Sequence, residues 1–257
     1  MKLALLLLAL LSTTALAANE TKTSEDLQYY GYGAFDTTYP ATLMQLSCLR
    51  QQGYRYAFVG VYNPDGQGNV YPYAADNLLY AQRAGLGIYA FVTPAVNSWK
   101  TAAAQFQETY FTLKREGNLT MFHVWLHVTD PISWPKNPQR NAGFIYDYIR
   151  AAAGLGVKVG IYTNWYDWQQ ITGNWRLEGQ DLWYWETFGV GEQASGSIGF
   201  NDFRPFGGFT IKDVVLKQYT KMVHGCVGIE YGRNSYLASS RLVEMGNGVV
   251  VEPPKKA

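Results

Sequence analysis

A short apolar segment of the chain ends in polar side chains at alternate positions: Trp125-Leu126-His127-Val128-Thr129-Asp130. On a strand, side chains two residues apart point to the same side and lie about 7 Å apart. Two carboxyl groups at this spacing could act together on one glycosidic linkage. His127 could replace a carboxylic acid at mildly acidic pH, but Thr129 cannot replace a carboxylate. The alternative is a hydrogen-bonded buried histidine beside a packed threonine.

Asp130 follows this pair directly. By strand alternation its side chain points away from the face that carries His127 and Thr129, unless the strand has already ended. It is therefore either a substitute carboxylate for the pair or a turn residue before Pro131.

The elements around this segment alternate between buried strands and amphipathic helices. Short apolar runs predict the strands, and apolar residues at helical spacing predict the helices. The predicted strands are 32–36, 56–62, 87–92, 122–129, 157–162, 182–185, 214–219 and 226–231, and the predicted helices are 41–51, 75–84, 102–115, 141–153 and 165–171. No Ser- or Pro-rich linker divides residues 18–250, which predicts one α/β domain with few helices near its end.

Several local motifs, taken in their order along the chain, resemble the glycoside hydrolase family 25 lysozymes, which cut bacterial peptidoglycan. The motifs are Trp125 to Asp130, Gly160 to Trp165 with Trp168 and Ile171-Thr172-Gly173, Asp202-Phe203 with Pro205 to Phe209, and Lys217-Gln218-Tyr219 with Cys226. The resemblance covers nearly all of the chain after residue 17. It implies a single modified TIM-like β/α barrel, an α/β fold with eight strands and fewer than eight helices.

The resemblance also implies a site. In the family the strand usually reads Trp-Leu-Asp-Val-Glu, so His127 and Thr129 occupy the two acidic places. Asp36 matches the first-strand aspartate of the family, although it could also cap the helix that follows. Glu230 stands where the family generally has an aspartate. Because a barrel of this kind builds its active site at the carboxyl ends of its strands, these four residues and Asp130 form the candidate catalytic set.

Aromatic residues on or just after the predicted strands are candidates for stacking on sugar rings. We expect Tyr62, Tyr89, Tyr162 and Trp183 to bind substrate, although most aromatics in such a fold fill the core. Glu186 is a further acidic residue at a strand end, and it has no standard catalytic counterpart in the family. No metal-binding spacing or nucleotide-binding loop is evident, so no metal or cofactor is expected.

Three functions follow from these residues and the resemblance. The first is a lysozyme-like protein of defence or bacterial digestion that binds peptidoglycan and has weak or no hydrolytic activity. The second is a working muramidase, cleaving between N-acetylmuramic acid and N-acetylglucosamine, in which Asp36, Glu230 and either Asp130 or His127 form a rearranged acid and base. The third is a structural protein that uses the barrel as a scaffold. A monomer is expected in each case.

The start of the chain predicts secretion. Lys2, the apolar run Leu3 to Leu11 and the small-residue pattern Ala15-Leu16-Ala17 predict a signal peptide over residues 1–17. Its removal takes away one of 21 basic and none of 20 acidic residues, so the net charge falls from +1 to about 0. This balance excludes binding of nucleic acid by bulk charge. No later apolar run is long enough for membrane insertion.

The remaining features concern covalent chemistry and the end of the chain. The two cysteines, Cys48 and Cys226, predict one disulfide in an oxidising compartment, with two free thiols as the alternative. Asn19 and Asn118 begin N-glycosylation sequons. Residues 251–257 are expected to form a flexible tail.

Overall fold

The computed structural model describes residues 29–237 and 240–253. Its strands are β1 (Tyr29–Thr37), β2 (Tyr56–Asn63), β3 (Asn69–Val70), β4 (Gly87–Val92), β5 (Leu119–Met121), β6 (His123–His127), β7 (Lys158–Thr163), β8 (Leu182–Trp185), β9 (Val214–Gly225), β10 (Ile229–Leu237) and β11 (Val249–Val251). Its helices are α1 (Leu43–Gln51), α2 (Ala74–Arg83), α3 (Ala102–Gly117), α4 (Pro138–Ala153), α5 (Trp165–Thr172) and α6 (Arg241–Met245).

Eight of these strands close into a barrel. Their order is β1-β10-β9-β8-β7-β6-β4-β2, and pairing of β1 with β2 closes the ring. Within the ring, each neighbouring pair in the series β1, β2, β4, β6, β7, β8 and β9 is parallel. Strand β10 is antiparallel to both of its neighbours, β9 and β1. The predicted eight-stranded barrel with fewer than eight helices is therefore confirmed.

The last strand differs from the prediction in its position. A strand was expected over 226–231, but Cys226, Val227 and Gly228 all have positive φ and form the turn of a hairpin between β9 and β10. A strand that returns directly through a short turn must pair antiparallel. The absence of a helix between these strands follows from this hairpin.

The helices form because their ends are capped and one face of each is apolar. Thr42 caps α1 and Gln45 completes a reciprocal capping box, while Thr101 caps α3 and Asn137 caps α4 just before Pro138. Helices α1 to α5 follow parallel strands and pack their buried faces against the outside of the barrel. This layer forms the larger hydrophobic core.

A second, smaller core fills the barrel interior with large aromatic rings. Phe58 stacks on Tyr89 with centroids 4.9 Å apart, and Trp183 lies 4.8 Å from Phe58. Trp125 needs Gly160 on the neighbouring strand, because a Cβ there would lie 2.4 Å from the indole. Buried side chains therefore fill the interior of the barrel.

A disulfide and a small sheet fix the periphery. Cys48 and Cys226 are bonded, as predicted, and the bond joins α1 to the β9–β10 hairpin. Strand β11 pairs with β5, and the backbone N–H of Glu252 donates to the carbonyl of Asn118. Residues 251–253 therefore belong to the folded domain, which corrects the expected start of the tail.

Some sequence predictions are not tested by these elements. The predicted signal peptide, Asn19 and residues 254–257 lie outside the described residues. Asn118 ends α3 in a left-handed conformation with φ 49°, and its side-chain amide donates to the Glu252 carbonyl; its glycosylation stays a prediction. In the described ranges, no helix combines the length and apolar character needed to cross a membrane.

Candidate functional site

The carboxyl ends of the barrel strands surround a cavity of about 210 Å³, here called the central cavity. It contains four of the five residues in the candidate catalytic set, together with one predicted sugar-binding tyrosine. Its lining includes Asp36, Phe91, Thr93, His127, Thr129, Tyr162, Gln218, Lys221 and Glu230. Most of these side chains converge because the parallel strands all end at this face. Glu230 was expected at the carboxyl end of the last strand, but it lies at the start of β10 and reaches the same face because this strand is antiparallel.

Asp36 ends β1 and lies at the base of the central cavity. Its Oδ1 accepts hydrogen bonds from Gln218 Nε2 at 2.7 Å and Asn234 Nδ2 at 2.6 Å. Gln218 in turn accepts from the Tyr162 hydroxyl at 2.6 Å, and Asn234 accepts from the Trp183 indole at 2.8 Å. Burial raises the pKa of Asp36 although both amides favour its charged form. The carboxyl group is therefore fixed in position by two amide donors.

His127 is enclosed between two aromatic rings. Phe91 lies parallel to it with centroids 4.3 Å apart, and Tyr162 stacks on its other side at 4.1 Å. Its Nδ1 lies 3.3 Å from the Thr93 hydroxyl, and its Nε2 has no hydrogen-bond partner among the described residues. Burial, with a smaller contribution from Lys221, lowers the pKa of His127 to about 3. Burial therefore disfavours the protonated imidazole that His127 would need in order to donate a proton at mildly acidic pH.

Thr129 does not present a free hydroxyl to the cavity. Its Oγ1 donates a hydrogen bond to the carboxylate of Asp167. Asp167 lies in the first turn of α5, where its backbone N–H donates to Asn164, the residue that caps this helix. Burial raises the pKa of Asp167, and the bond from Thr129 opposes that shift. A carboxyl group thus lies beside Thr129, although it comes from a helix and not from the strand.

Lys221 brings a positive charge into the same cavity. Its ammonium lies 3.3 Å from the centroid of the Trp185 ring, and it attracts both Asp36 and Asp167. Burial outweighs these attractions and lowers the pKa of Lys221 to about 8. Lys221 therefore interacts with both carboxyl groups, although of the two only Asp36 lines the cavity.

Glu230 lies at the rim and Asp130 outside the cavity. Glu230 is 3.3 Å from His224 Nε2 and accepts a hydrogen bond from the Tyr39 hydroxyl. Asp130 has φ 59°, is exposed, and accepts from the Ser133 hydroxyl at 2.5 Å. It precedes a short 3-10 turn that starts at Pro131. The turn interpretation of Asp130 is therefore correct, and its proposed catalytic role is not supported.

Of the four predicted sugar-binding aromatics, only Tyr162 lines the central cavity. Tyr62, Tyr89 and Trp183 are each at most 1% exposed. Their polar atoms donate to protein groups, namely Glu108, the Gly246 carbonyl and Asn234. Tyr89 and Trp183 fill the barrel interior, where inward-facing positions below the strand ends are packed in a barrel of this size. Tyr62 lies in the outer core between the strands and the helices. Their prediction as groove residues is corrected accordingly.

Three important residues were missed from the sequence. Gln218 lies in a motif that resembles the family but was not assigned to the site. Asp167 lies in the first turn of a capped helix, and its sequence pattern does not indicate that it contacts Thr129. Lys221 was missed because a register shift in the pairing of β9 with β10, next to Met222 at φ 54°, breaks the strand alternation. The available sequence signal for Lys221 was that it is a charged residue shortly after the Lys217-Gln218-Tyr219 motif.

The central cavity can bind and position a polar ligand. It offers two carboxyl groups, an ammonium, an amide and aromatic surface within one concave site. Among the described residues no group of three His, Cys, Asp or Glu side chains could hold a metal ion. The side chains of the cavity can form hydrogen bonds and transfer protons through Asp36 or Lys221, and Asp167 lies beside Thr129.

Sequence comparisons agree with the geometry. The sequence model of the family described as Lysozyme-like protein 1 matches residues 27–219. The chain is similar to Lysozyme-like protein 7 of Caenorhabditis elegans, with 39% identity over 84% of this chain and 76% of the relative. It is also similar to a probable GH family 25 lysozyme 2 of Dictyostelium discoideum, with 26% identity over 78% of this chain and 89% of the relative.

A comparison of folds gives the same architecture. The bacterial lysozyme from Streptomyces coelicolor superimposes with a TM-score of 0.62 at 17% identity, over 85% of this chain and 98% of that structure. At this identity the match concerns the fold alone. It agrees with the mixed barrel described above.

Proposed function

The chain belongs to the Lysozyme-like protein 1 family and is of the glycoside hydrolase family 25 lysozyme type, and we therefore propose that it is a secreted protein directed at bacterial peptidoglycan, with reduced or absent hydrolytic activity. The leader-like pattern of residues 1–17 supports secretion. Its role would be innate defence or digestion of bacteria.

The main support for this proposal is that the residues at positions 127 and 129 are a histidine and a threonine, which have no carboxyl group. Glycoside hydrolysis commonly uses one carboxyl group as an acid and a second as base or nucleophile. His127 is neutral, enclosed between Phe91 and Tyr162, and its pKa is about 3. Thr129 has no ionisable group and is bonded to Asp167. Neither position supplies the negative charge or the proton that cleavage requires.

The rest of the central cavity supports retention of a glycan. Asp36 is oriented by two amide donors, and Tyr162, which stacks on His127, lines the cavity although its side chain is almost fully buried. Sugar recognition depends on such directed hydrogen bonds combined with aromatic surface. The cavity thus keeps groups that bind sugar after the strand has lost its carboxylates.

Labelled insoluble peptidoglycan tests the proposal. Purified wild-type protein should bind to the pellet between pH 4 and 8 and release no soluble fragments. Asp36→Asn should weaken retention, whereas Asp147→Asn, on the exposed face of α4, should leave it unchanged. The double variant His127→Asp, Thr129→Glu should gain measurable release. Absence of any retention by the wild type would overturn the proposal.

One observation favours an alternative, an active muramidase with a rearranged acid and base. Asp36 and Asp167 both have raised pKa values, and both interact with Lys221. Perturbed carboxyl groups in a cleft are typical of catalytic sites. In this case the wild type would release fragments, and Asp36→Asn and Asp167→Asn would each abolish release. If Asp36→Asn and Tyr162→Phe changed only the stability of the protein, and neither retention nor release of peptidoglycan, the barrel would serve as the scaffold of a structural protein.

A further inference from the structure

Lys221 carries an amine into the central cavity without a hydrogen-bond or ion-pair partner. The residue lines the cavity and is partly exposed. Across residues 29–237 and 240–253, no carboxylate oxygen lies within ion-pairing distance of its Nζ, and its Nζ forms no hydrogen bond. The Nζ lies instead 3.3 Å from the centroid of the Trp185 ring. One side of the amine is therefore covered by an aromatic face, and no protein group occupies its hydrogen-bonding positions.

Two other lysines with buried or half-buried amines show how such a group is usually held. Lys100 forms an ion pair with Glu108 at 2.7 Å, and the fully buried Lys217 is paired with Asp202. Both amines are thus kept charged and are engaged within the protein. Lys221 differs from them, because its amine remains free to contact a ligand in the cavity.

The backbone directs this amine into the cavity through a bulge. Thr220 pairs with Arg233 and Val223 pairs with Tyr231, so two residues of β9 lie opposite one residue of β10. A bulge changes the direction of a side chain and is common beside functional sites. The position of Lys221 in the cavity is therefore a property of the folded strand pair.

The surroundings of the amine favour its uncharged form. Burial lowers the pKa of Lys221 to about 8, although Asp36 and Asp167 attract the charged form. An ordinary lysine has a pKa of about 10.4, so a much larger fraction of Lys221 is free amine at neutral pH. Desolvated lysines of this kind act as nucleophiles towards carbonyl compounds and form imines.

Imine formation also needs a proton donor, because the carbonyl oxygen leaves as water. Asp36 lines the same cavity, and burial raises the pKa of its carboxyl group. The cavity of about 210 Å³ admits only a small reacting group. It therefore combines a free amine, a carboxyl group and room for the end of a small polyhydroxylated molecule.

We propose that Lys221 is a nucleophile that forms a reversible imine with the aldehyde carbon of a short or open-chain aldose in the central cavity. The Lys221 nitrogen bonds to the aldehyde carbon and gives a carbinolamine, in which one amine proton has moved to the oxygen. The carbon–oxygen bond then breaks, and the oxygen takes a second proton from Asp36 and leaves as water. A protonated imine remains beside the Asp36 carboxylate. This chemistry goes beyond the proposed function, since it breaks no glycosidic bond.

Reductive trapping tests the proposal, because sodium cyanoborohydride converts an imine into a stable secondary amine. The probe is glyceraldehyde, an aldose too short to close into a sugar ring. Peptide mapping by mass spectrometry at pH 7 should show Lys221 modified at least about tenfold faster than Lys136, an exposed lysine on the loop before α4. N-acetylglucosamine should label Lys221 more slowly, and its methyl glycoside, whose aldehyde is blocked, should not label it.

Two controls show whether the folded cavity causes this reactivity. In urea, Lys221 and Lys136 should be labelled at equal rates. Lys221→Arg should lose the fast adduct and keep the slow labelling of Lys136, with its fold checked by thermal unfolding. Equal labelling of the two lysines in the native wild type, or no adduct on Lys221, would overturn the proposal. Retention of peptidoglycan by the same preparation is measured separately, so the proposed function stands or fails independently.

Discussion

Thr129 donates its hydroxyl hydrogen bond to Asp167, a residue that lies 38 positions further along the chain. The bond joins the end of strand β6 to the first turn of helix α5. It places a carboxyl group within hydrogen-bonding distance of a strand position that carries none itself. The charge balance of the central cavity therefore depends on a helix as well as on the strand ends.

Removing the charge of Asp167 should change the titration of Lys221. The attraction of Asp167 and Asp36 raises the pKa of Lys221, which burial holds at about 8. Asp167→Asn should lower the Lys221 pKa further, because one of the two attractions is lost. Lysine-selective NMR titration measures this shift. Asp147→Asn should leave the Lys221 pKa unchanged, and an unchanged value in Asp167→Asn would show that the two charges are not coupled.

His127 should make stability fall with acidification. Its pKa is about 3 in the folded protein and about 6.5 in the unfolded chain, so the unfolded state binds the proton first. Its contribution is complete above about pH 6.5 and is lost as the pH falls towards 3, by at most about 1.4 kcal/mol per pH unit. His127→Gln should flatten this part of the pH profile.

The matched control for this measurement is Phe106→Leu. Phe106 is buried in the outer core and does not line the central cavity, and the change removes no titrating group. Urea unfolding between pH 4 and 8 should give a profile parallel to that of the wild type but lower. Identical slopes for His127→Gln and the wild type would contradict the assigned pKa.

The disulfide should contribute strongly to stability. It closes a sequence separation of 178 residues, and the chain-entropy relation gives about 5 kcal/mol for a loop of that length. Cys48→Ser with Cys226→Ser should lower the free energy of unfolding by up to this amount, measured by urea denaturation. Treatment of the wild type with a reductant should have the same effect, whereas the double variant should not respond.

Glu186 should titrate near neutral pH. Its hydrogen bond with Asp202, together with burial, raises its pKa to about 7, whereas Lys217 and Arg204 oppose the shift. Asp202→Asn should lower the Glu186 pKa towards its ordinary value, because the neighbouring negative charge disappears. Carbon-detected NMR of the carboxyl group measures both values. A Glu186 pKa that stays near 7 in the variant would exclude Asp202 as the main cause.

The parallel part of the barrel was predictable because its strands and helices carry local signals. Buried apolar runs such as Tyr56 to Tyr62 and Gly87 to Val92 agree closely with β2 and β4. The antiparallel return of β10 was not predicted, because its turn contains Cys226 and Val227 at positive φ. Such conformations are unusual for these residue types and give no turn signal in the sequence.

The sequence by itself predicted the parallel strands and the cysteine pair from local patterns, and the resemblance to the family 25 lysozymes implied the barrel and the meeting of Asp36, His127, Thr129 and Glu230 at one end. Parallel strands end at the same face, whereas Glu230 reaches that face from the start of the antiparallel strand β10. Only the tertiary structure decided which groups ionise there. Burial between two rings lowers the pKa of His127, helix α5 places Asp167 beside Thr129, and a bulged strand brings Lys221 into the cavity. Protonation depends on surroundings that come from distant parts of the chain, so local sequence patterns do not encode it.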